Sequence, residues 1–190
     1  MKAIVCTKYG PPEVLQLRDV KKPAPRNNEV LIKIHATAVT ASDCIIRRLK
    51  LKPSVRKPMG LIAGLIMGFN KPRQPIFGLV LAGDVESVGK KVKQFKAGDQ
   101  VFASTIKSTF QPRLGAHAEY MCLPEDGILA LKPSNISYEE AAAIPYGGML
   151  ALHFLKKGNI QSGQKVLIYG ASGAIGTAAV QLANYFAVTE

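Results

Sequence analysis

Residues Val166–Gln181 constrain this chain more than any other stretch: Val-Leu-Ile-Tyr, then Gly-Ala-Ser-Gly-Ala-Ile-Gly, then Thr-Ala-Ala-Val-Gln. The apolar run Val166–Tyr169 predicts a short strand buried on both faces, ended by Gly170. Gly173 and Gly176 punctuate the turn beyond it, and Thr177–Phe186 sets alanines and large apolar residues at helical spacing. A helix opening leaves backbone N–H groups unpaired and a partial positive charge, so a pyrophosphate can sit there if no side chain blocks it. Ala171-x-Gly173-x-x-Gly176 is one glycine short of the usual dinucleotide fingerprint, and the flanking strand and helix supply its context. Gly173 allows close approach of a phosphate, and Gly176 lets helix and strand pack tightly. The cradle is therefore expected to comprise Ala171, Ser172, Gly173, Ala174, Ile175 and Gly176.

A chain of 190 residues, 47% hydrophobic, can bury a sizeable core and has room for one large or two small domains. Met1–Val5 goes straight into strand-like sequence, which argues against a secretory signal, and the apolar stretch Met59–Phe69 is too short to span a bilayer. Cys6, Cys44 and Cys122 are widely spaced and form no C-x-x-C, so neither a disulfide framework nor a thiolate zinc site is suggested. A cytoplasmic location is expected. The net charge of +12 fits an acidic partner, but no helix-turn-helix, zinc-finger or RNP signature accompanies it, so nucleic acid is not expected. A cofactor with several phosphates is also an acidic partner.

The first two thirds of the chain are predicted to be β-rich. Met1–Thr7 and Glu13–Leu17 are expected strands joined by the Tyr9–Pro12 turn, and Glu29–Val39 is a longer strand with Val30, Ile32 and Ile34 facing one way. Thr40-Ala41-Ser42-Asp43 then leaves the strand and caps a short helix, Cys44 to Leu49, with Ser42 or Asp43 as the capping residue. Phe77–Val88, Gln100–Ala103 and Gly115–Leu123 are further strands. Short strands at regular spacing with turn signals predict a compact barrel of the closed, mixed type. Ser137-x-x-Glu140 is a capping box ahead of an Ala-rich helix through Leu155, stopped by Gly158 and broken or kinked at Pro145 with Gly147-Gly148.

Several of these stretches occur in one order and spacing: Ala82-Gly83-x-Val85-x-x-Val88-Gly89, Gly98-Asp99-x-Val101, Gly115-Ala116-x-Ala118-Glu119-Tyr120, Ala141–Pro145 and the Gly170–Gly176 turn. Together they resemble the medium-chain dehydrogenase/reductase superfamily, in its zinc-free quinone oxidoreductase-like branch. The resemblance implies an α/β (α+β overall) protein, with a GroES-like β-barrel domain over 1–132 and the start of a Rossmann nucleotide-binding domain over 133–190. It implies NADPH as cofactor, hydride transfer to a quinone or an α,β-unsaturated carbonyl, and a homodimer at full length. One scaffold hosts many substrates, so the acceptor stays open.

Where the zinc-using branch of that superfamily has a Cys, a Gly-His-Glu and a further Cys, this chain has Thr40, Gly78-Leu79-Val80 and Tyr146. Aliphatic side chains cannot ligate zinc, so no metal is expected. The acceptor's carbonyl must then be polarised by hydrogen bonds. Thr40 and Tyr146 are the candidate donors, with Asp43 retained beside Thr40 as a third catalytic candidate. By the same resemblance Thr40 and Leu150 face the cofactor. An Asn is common in the branch at the position of Thr40, an aromatic hydroxyl at that of Ile45, and a Thr at that of Leu150.

A doubly wound nucleotide domain needs several βα units and residues up to Glu190 supply only the first, so a truncated, poorly active chain is expected. The acidic ribose-binding residue of NAD enzymes belongs about 20 positions after the motif, and Glu190 arrives too early for it. A second reading comes from the apolar loop flanked by Arg47, Arg48, Lys50, Lys52 and Arg56-Lys57: a non-catalytic scaffold of the same family whose loop 47–73 touches a membrane surface or nucleic acid.

Overall fold

Alternating apolar residues build the first part of the molecule. The computed structural model describes residues 1–49, 64–65, 67–106 and 113–187. Strands β1 (Lys2–Cys6) and β2 (Leu15–Asp19) pair antiparallel, joined by a 3₁₀ turn at Pro12–Val14. Strands β3 (Glu29–Ala36), β4 (Val80–Val88), β5 (Gln100–Ser104), β6 (Tyr120–Pro124) and β7 (Ile128–Leu131) form a curled sheet in the order β6-β3-β4-β5-β7. Every pairing is antiparallel, so the expected mixed barrel is an antiparallel half-barrel.

Val30 and Ile32 point to one face as their spacing requires, with Leu81, Val85, Val101, Met121 and Leu123, and Ile34 packs against them. Each such large side chain, fully buried, contributes about 1.5–3 kcal/mol by removal from water. Ala82 lies on the opposite face with Ala141 and Ala142, beside Phe102, Ile136 and Tyr138. The first turn of helix α2 (Tyr138–Lys157) is thus packed on the outside of the sheet.

The short helix α1 (Ala41–Arg47) begins earlier than its polar residues suggested. Its cap is Thr40, neither Ser42 nor Asp43, because Thr40 and Asp43 close a reciprocal box in which Asp43 occupies the third helical position. The box at Ser137 and Glu140 forms as predicted, with Ser137 N–H donating to Glu140 Oε2 at 2.8 Å and Glu140 N–H to Ser137 Oγ at 3.2 Å. Pro145 does not break α2, which runs on to Lys157; a single proline removes one backbone donor and leaves the neighbouring bonds in place.

The chain divides into two compact units, Met1–Ala142 and Ala143–Glu190. In the second, Ala151 and Leu155 of α2 pack against Ala179 and Ala183 of α3 (Ala174–Ala187). The predicted strand Val166–Tyr169 does not form. Leu167 and Tyr169 are fully exposed, and only Ile168 of the four turns into the small core. A parallel strand needs hydrogen-bonded neighbours, and the second unit has no strand among the described residues.

Most of the loop 47–73 singled out for membrane or nucleic-acid contact lies outside the described residues. Arg47, one of its cations, is buried: it donates to the Gly10 carbonyl at 2.6 Å, while its own carbonyl accepts from Gly10 N–H at 2.9 Å. No helix among the described residues is long and apolar enough to cross a membrane.

Candidate functional site

Thr40 and Asp43 come together where β3 gives way to α1. Asp43 is 5% exposed, and both of its carboxylate oxygens are occupied. Oδ2 accepts from Thr40 N–H at 2.8 Å and from the Thr40 hydroxyl at 2.7 Å; Oδ1 accepts from Gly78 N–H at 3.1 Å and lies 3.5 Å from His117 Nε2. Burial pushes the Asp43 carboxyl up, but hydrogen bonds from His117 and Thr40 outweigh it and hold the group below its ordinary value. The Thr40 hydroxyl gives its hydrogen to Asp43 and accepts from Asp43 N–H at 3.3 Å, so the capped threonine has no hydrogen left to donate. Gly78 completes the arrangement: its φ is 103°, and a Cβ there would sit 2.6 Å from His117 N. The buried Thr105 hydroxyl donates to the Gly78 carbonyl at 3.3 Å.

The glycine turn lies in the second unit. Gly170 has φ 77°, Gly173 N–H returns to the Gly170 carbonyl at 3.1 Å, and Thr177 N–H bonds the Gly173 carbonyl at 2.8 Å to start α3. The N–H groups of Ala174, Ile175 and Gly176 have no intrahelical acceptor at such an opening. Residues 171–174 are exposed, and a Cβ on Gly173 would meet nothing nearer than 3.5 Å within the protein. A Cβ on Gly176 would lie 2.1 Å from the Gly170 carbonyl oxygen, so only glycine lets helix and turn approach this closely. The first turn of α3 carries no acidic residue. An anion at this helix N-terminus therefore meets bare amides, the positive end of the dipole and no repelling carboxylate.

Helix α2 passes beside the same turn. Gly147 is pressed against it so tightly that a Cβ would meet the Ala174 carbonyl oxygen at 2.4 Å. Tyr146, half-buried, and Leu150, 39% exposed, stand one helical turn apart on α2.

The family model of the alcohol dehydrogenase GroES-like domain matches residues 26–133, more than half of the chain. Over 191 residues the sequence is 37% identical to a quinone oxidoreductase of Sus scrofa, covering 98% of this chain and 50% of that protein. The chain belongs to the medium-chain dehydrogenase/reductase superfamily, in its quinone oxidoreductase-like branch. It is also 31% identical over 188 residues to the NADPH-dependent alkenal/one oxidoreductase, chloroplastic, of Arabidopsis thaliana, covering 97% of this chain and 45% of that protein. The solved structure of the quinone oxidoreductase from Coxiella burnetii matches with a TM-score of 0.80 at 30% identity, over 98% of this chain and 54% of that one. The chain spans about half the length of these relatives.

For a member of this superfamily the residues at the metal positions matter. Leu79 and Val80 are buried aliphatics, and among the described residues no group of three or more His, Cys, Asp and Glu side chains converges. The side chains of Leu79 and Val80 offer no atom that could ligate zinc. No local sequence pattern links His117 to Asp43. The histidine is far along the chain from Asp43, and the antiparallel bridge Ala3↔Ala118, the bond from Ile4 N–H to the His117 carbonyl and the bond from His117 N–H to the Phe77 carbonyl hold the segment that carries it to within 3.5 Å of Asp43.

Proposed function

We propose that this chain is the GroES-like domain, 1–132, and the opening of the nucleotide-binding domain, 133–190, of a zinc-independent NADPH-dependent oxidoreductase that reduces quinones or α,β-unsaturated carbonyls. The observation that supports this reading is the turn 170–176, where α3 opens on N–H groups with no intrahelical acceptor, Gly176 lies against the Gly170 carbonyl and no protein atom lies nearer than 3.5 Å to a Cβ built on Gly173. The names of the Sus scrofa and Arabidopsis relatives support the choice of acceptor and cofactor.

Ala171, Ser172, Gly173, Ala174, Ile175 and Gly176 would hold the pyrophosphate of the cofactor, which when bound supplies the hydride. Leu150 would flank it with an apolar side chain. Thr40 and Asp43 act as positioning residues: their box, with Gly78 and His117, fixes the start of α1. Tyr146 is assigned the hydroxyl that donates to the acceptor's carbonyl and stabilises the charge that grows there. The parent protein would be a cytoplasmic homodimer.

The test is thermal unfolding of the chain with NADPH and with NADH, followed by oxidation of reduced nicotinamide in the presence of a quinone or an enone by the full-length parent and its Tyr146→Phe variant. The proposal requires stabilisation by NADPH and a loss of turnover of ~10²-fold or more in the variant, the scale of a lost oxyanion donor. Stabilisation by neither nucleotide would overturn the cofactor assignment, and an unchanged turnover would remove Tyr146 from catalysis.

A further inference from the structure

A hollow opens in the first unit beside the small core of Cys6, Val14 and Phe77, against which Ile46 of α1 packs. Hydrogen bonds draw four stretches of chain around it. Cys6 N–H bonds the Pro75 carbonyl at 2.7 Å, Gly10 N–H bonds the Arg47 carbonyl at 2.9 Å, and Leu114 N–H donates to Gln74 Oε1 at 2.8 Å. Residues 6–14, α1, 67–77 and 113–117 are thereby held together. Ile46, Phe77 and Leu114 line the hollow, with Met67 and Pro72. Its two polar lining residues are engaged within the protein: the Tyr9 hydroxyl donates to the Met67 carbonyl at 2.7 Å, and Gln74 takes the Leu114 N–H. About 280 Å³ of unfilled space remains, part of it open to solvent. What enters such a hollow is short and apolar at its inner end.

The charge carried by these four stretches is one-sided. Lys8 precedes Tyr9, Lys71 precedes Pro72, and Arg73 stands between Pro72 and Gln74; all three cations are exposed, and none pairs with a carboxylate among the described residues. Arg47 and Arg113 already have partners, the Gly10 carbonyl and Glu29. Apart from Asp43, whose two oxygens are both bonded, Glu13 is the only acid on these stretches, and the sequence has no Asp or Glu between Asp43 and Asp84. We propose that the hollow binds a small amphiphilic carboxylate, its short apolar end seated against Ile46, Phe77 and Leu114 and its head held at the surface by Lys71 and Arg73. A guanidinium matches the two oxygens of a carboxylate, and the neighbouring ammonium adds a second charge. An uncharged ligand of the same length gains the apolar contact without the attraction; a bare anion gains the attraction without the contact. The hollow lies in the first unit and the glycine turn in the second, so occupancy here is read separately from nucleotide binding.

Titration of the ¹⁵N-labelled 190-residue chain with hexanoate, acetate and 1-hexanol, followed by NMR, tests this. Hexanoate should give saturable shifts at the Tyr9, Gln74, Phe77 and Leu114 amides. It should bind ~4–15-fold more tightly than acetate, the worth of one or two buried methylenes. Over 1-hexanol its advantage should be ~2–5-fold, the size of an exposed charge contact. The double variant Lys71→Gln, Arg73→Gln, changed only at exposed positions, should lose that advantage and bind 1-hexanol as the wild type does. No saturable shift at these amides, hexanoate binding no tighter than acetate or 1-hexanol, or a double variant that keeps the wild-type preference would overturn the proposal.

Discussion

Replacing Asp43 with asparagine removes a charge while keeping the shape of the side chain, and the geometry sets the cost. Both oxygens of Asp43 face backbone donors, Thr40 N–H on one side and Gly78 N–H on the other. An amide has one acceptor, so whichever way it turns, its NH₂ group points at one of them. Turned toward Gly78, it leaves a buried backbone N–H unpaired, which costs about 1–3 kcal/mol. Turned toward Thr40, it breaks the capping box, which costs about 0.5–2 kcal/mol. Loss of the charge weakens the remaining bonds as well, and a total of about 3 kcal/mol is expected, roughly a 6–12 °C fall in melting temperature for a chain of this size. The chain has no tryptophan, so far-UV circular dichroism in urea is the assay of choice. The folded Asp43 carboxyl titrates below its unfolded value, so its contribution is complete above about pH 4 and is lost as the pH falls through the folded value. The gap between wild type and Asp43→Asn should narrow over that acid range. A variant within about 0.5 kcal/mol of wild type at neutral pH, the scale of an ordinary surface substitution, would refute the argument.

Two further substitutions probe the rest of the structure. Gly176→Ala forces a methyl group against the Gly170 carbonyl; it should destabilise the second unit by about 1–3 kcal/mol and abolish nucleotide binding, as seen by melting with and without NADPH, and unchanged melting would contradict the close approach. Arg47→Gln should lower stability by about 1.5–3 kcal/mol through the lost bond to the Gly10 carbonyl, whereas the exposed Arg48→Gln should change it by less than about 0.5 kcal/mol; equal urea midpoints would place Arg47 at the surface instead.

How much of this was legible in the sequence depended on whether the signal was local. The alternation of Val30, Ile32 and Ile34 and the box at Ser137 and Glu140 are written in neighbouring residues, and both are present in the structure. The strand β7 at Ile128–Leu131 was not foreseen: its four residues are half-buried or exposed, and its pairing with β5 defines it, not its own pattern. Val166–Tyr169 failed in the opposite sense. Its composition suits a buried strand, but strand formation is a property of the neighbours. At the candidate site, Thr40 and Asp43 were named from the resemblance to the family, while the commitment of the threonine's hydrogen to Asp43 is visible only in the geometry. The hollow beside Phe77 depends on four separate stretches meeting, which no local pattern announces.

The central claim is that a diphosphate binds the bare amides at the start of α3. Titrating the ¹⁵N-labelled chain with NADPH and following every backbone amide by NMR tests it most directly. The account predicts the largest shifts at Gly173, Ala174, Ile175 and Gly176, and their disappearance in Gly176→Ala. Saturable shifts confined to another region, or none at these four amides at millimolar nucleotide, would contradict it.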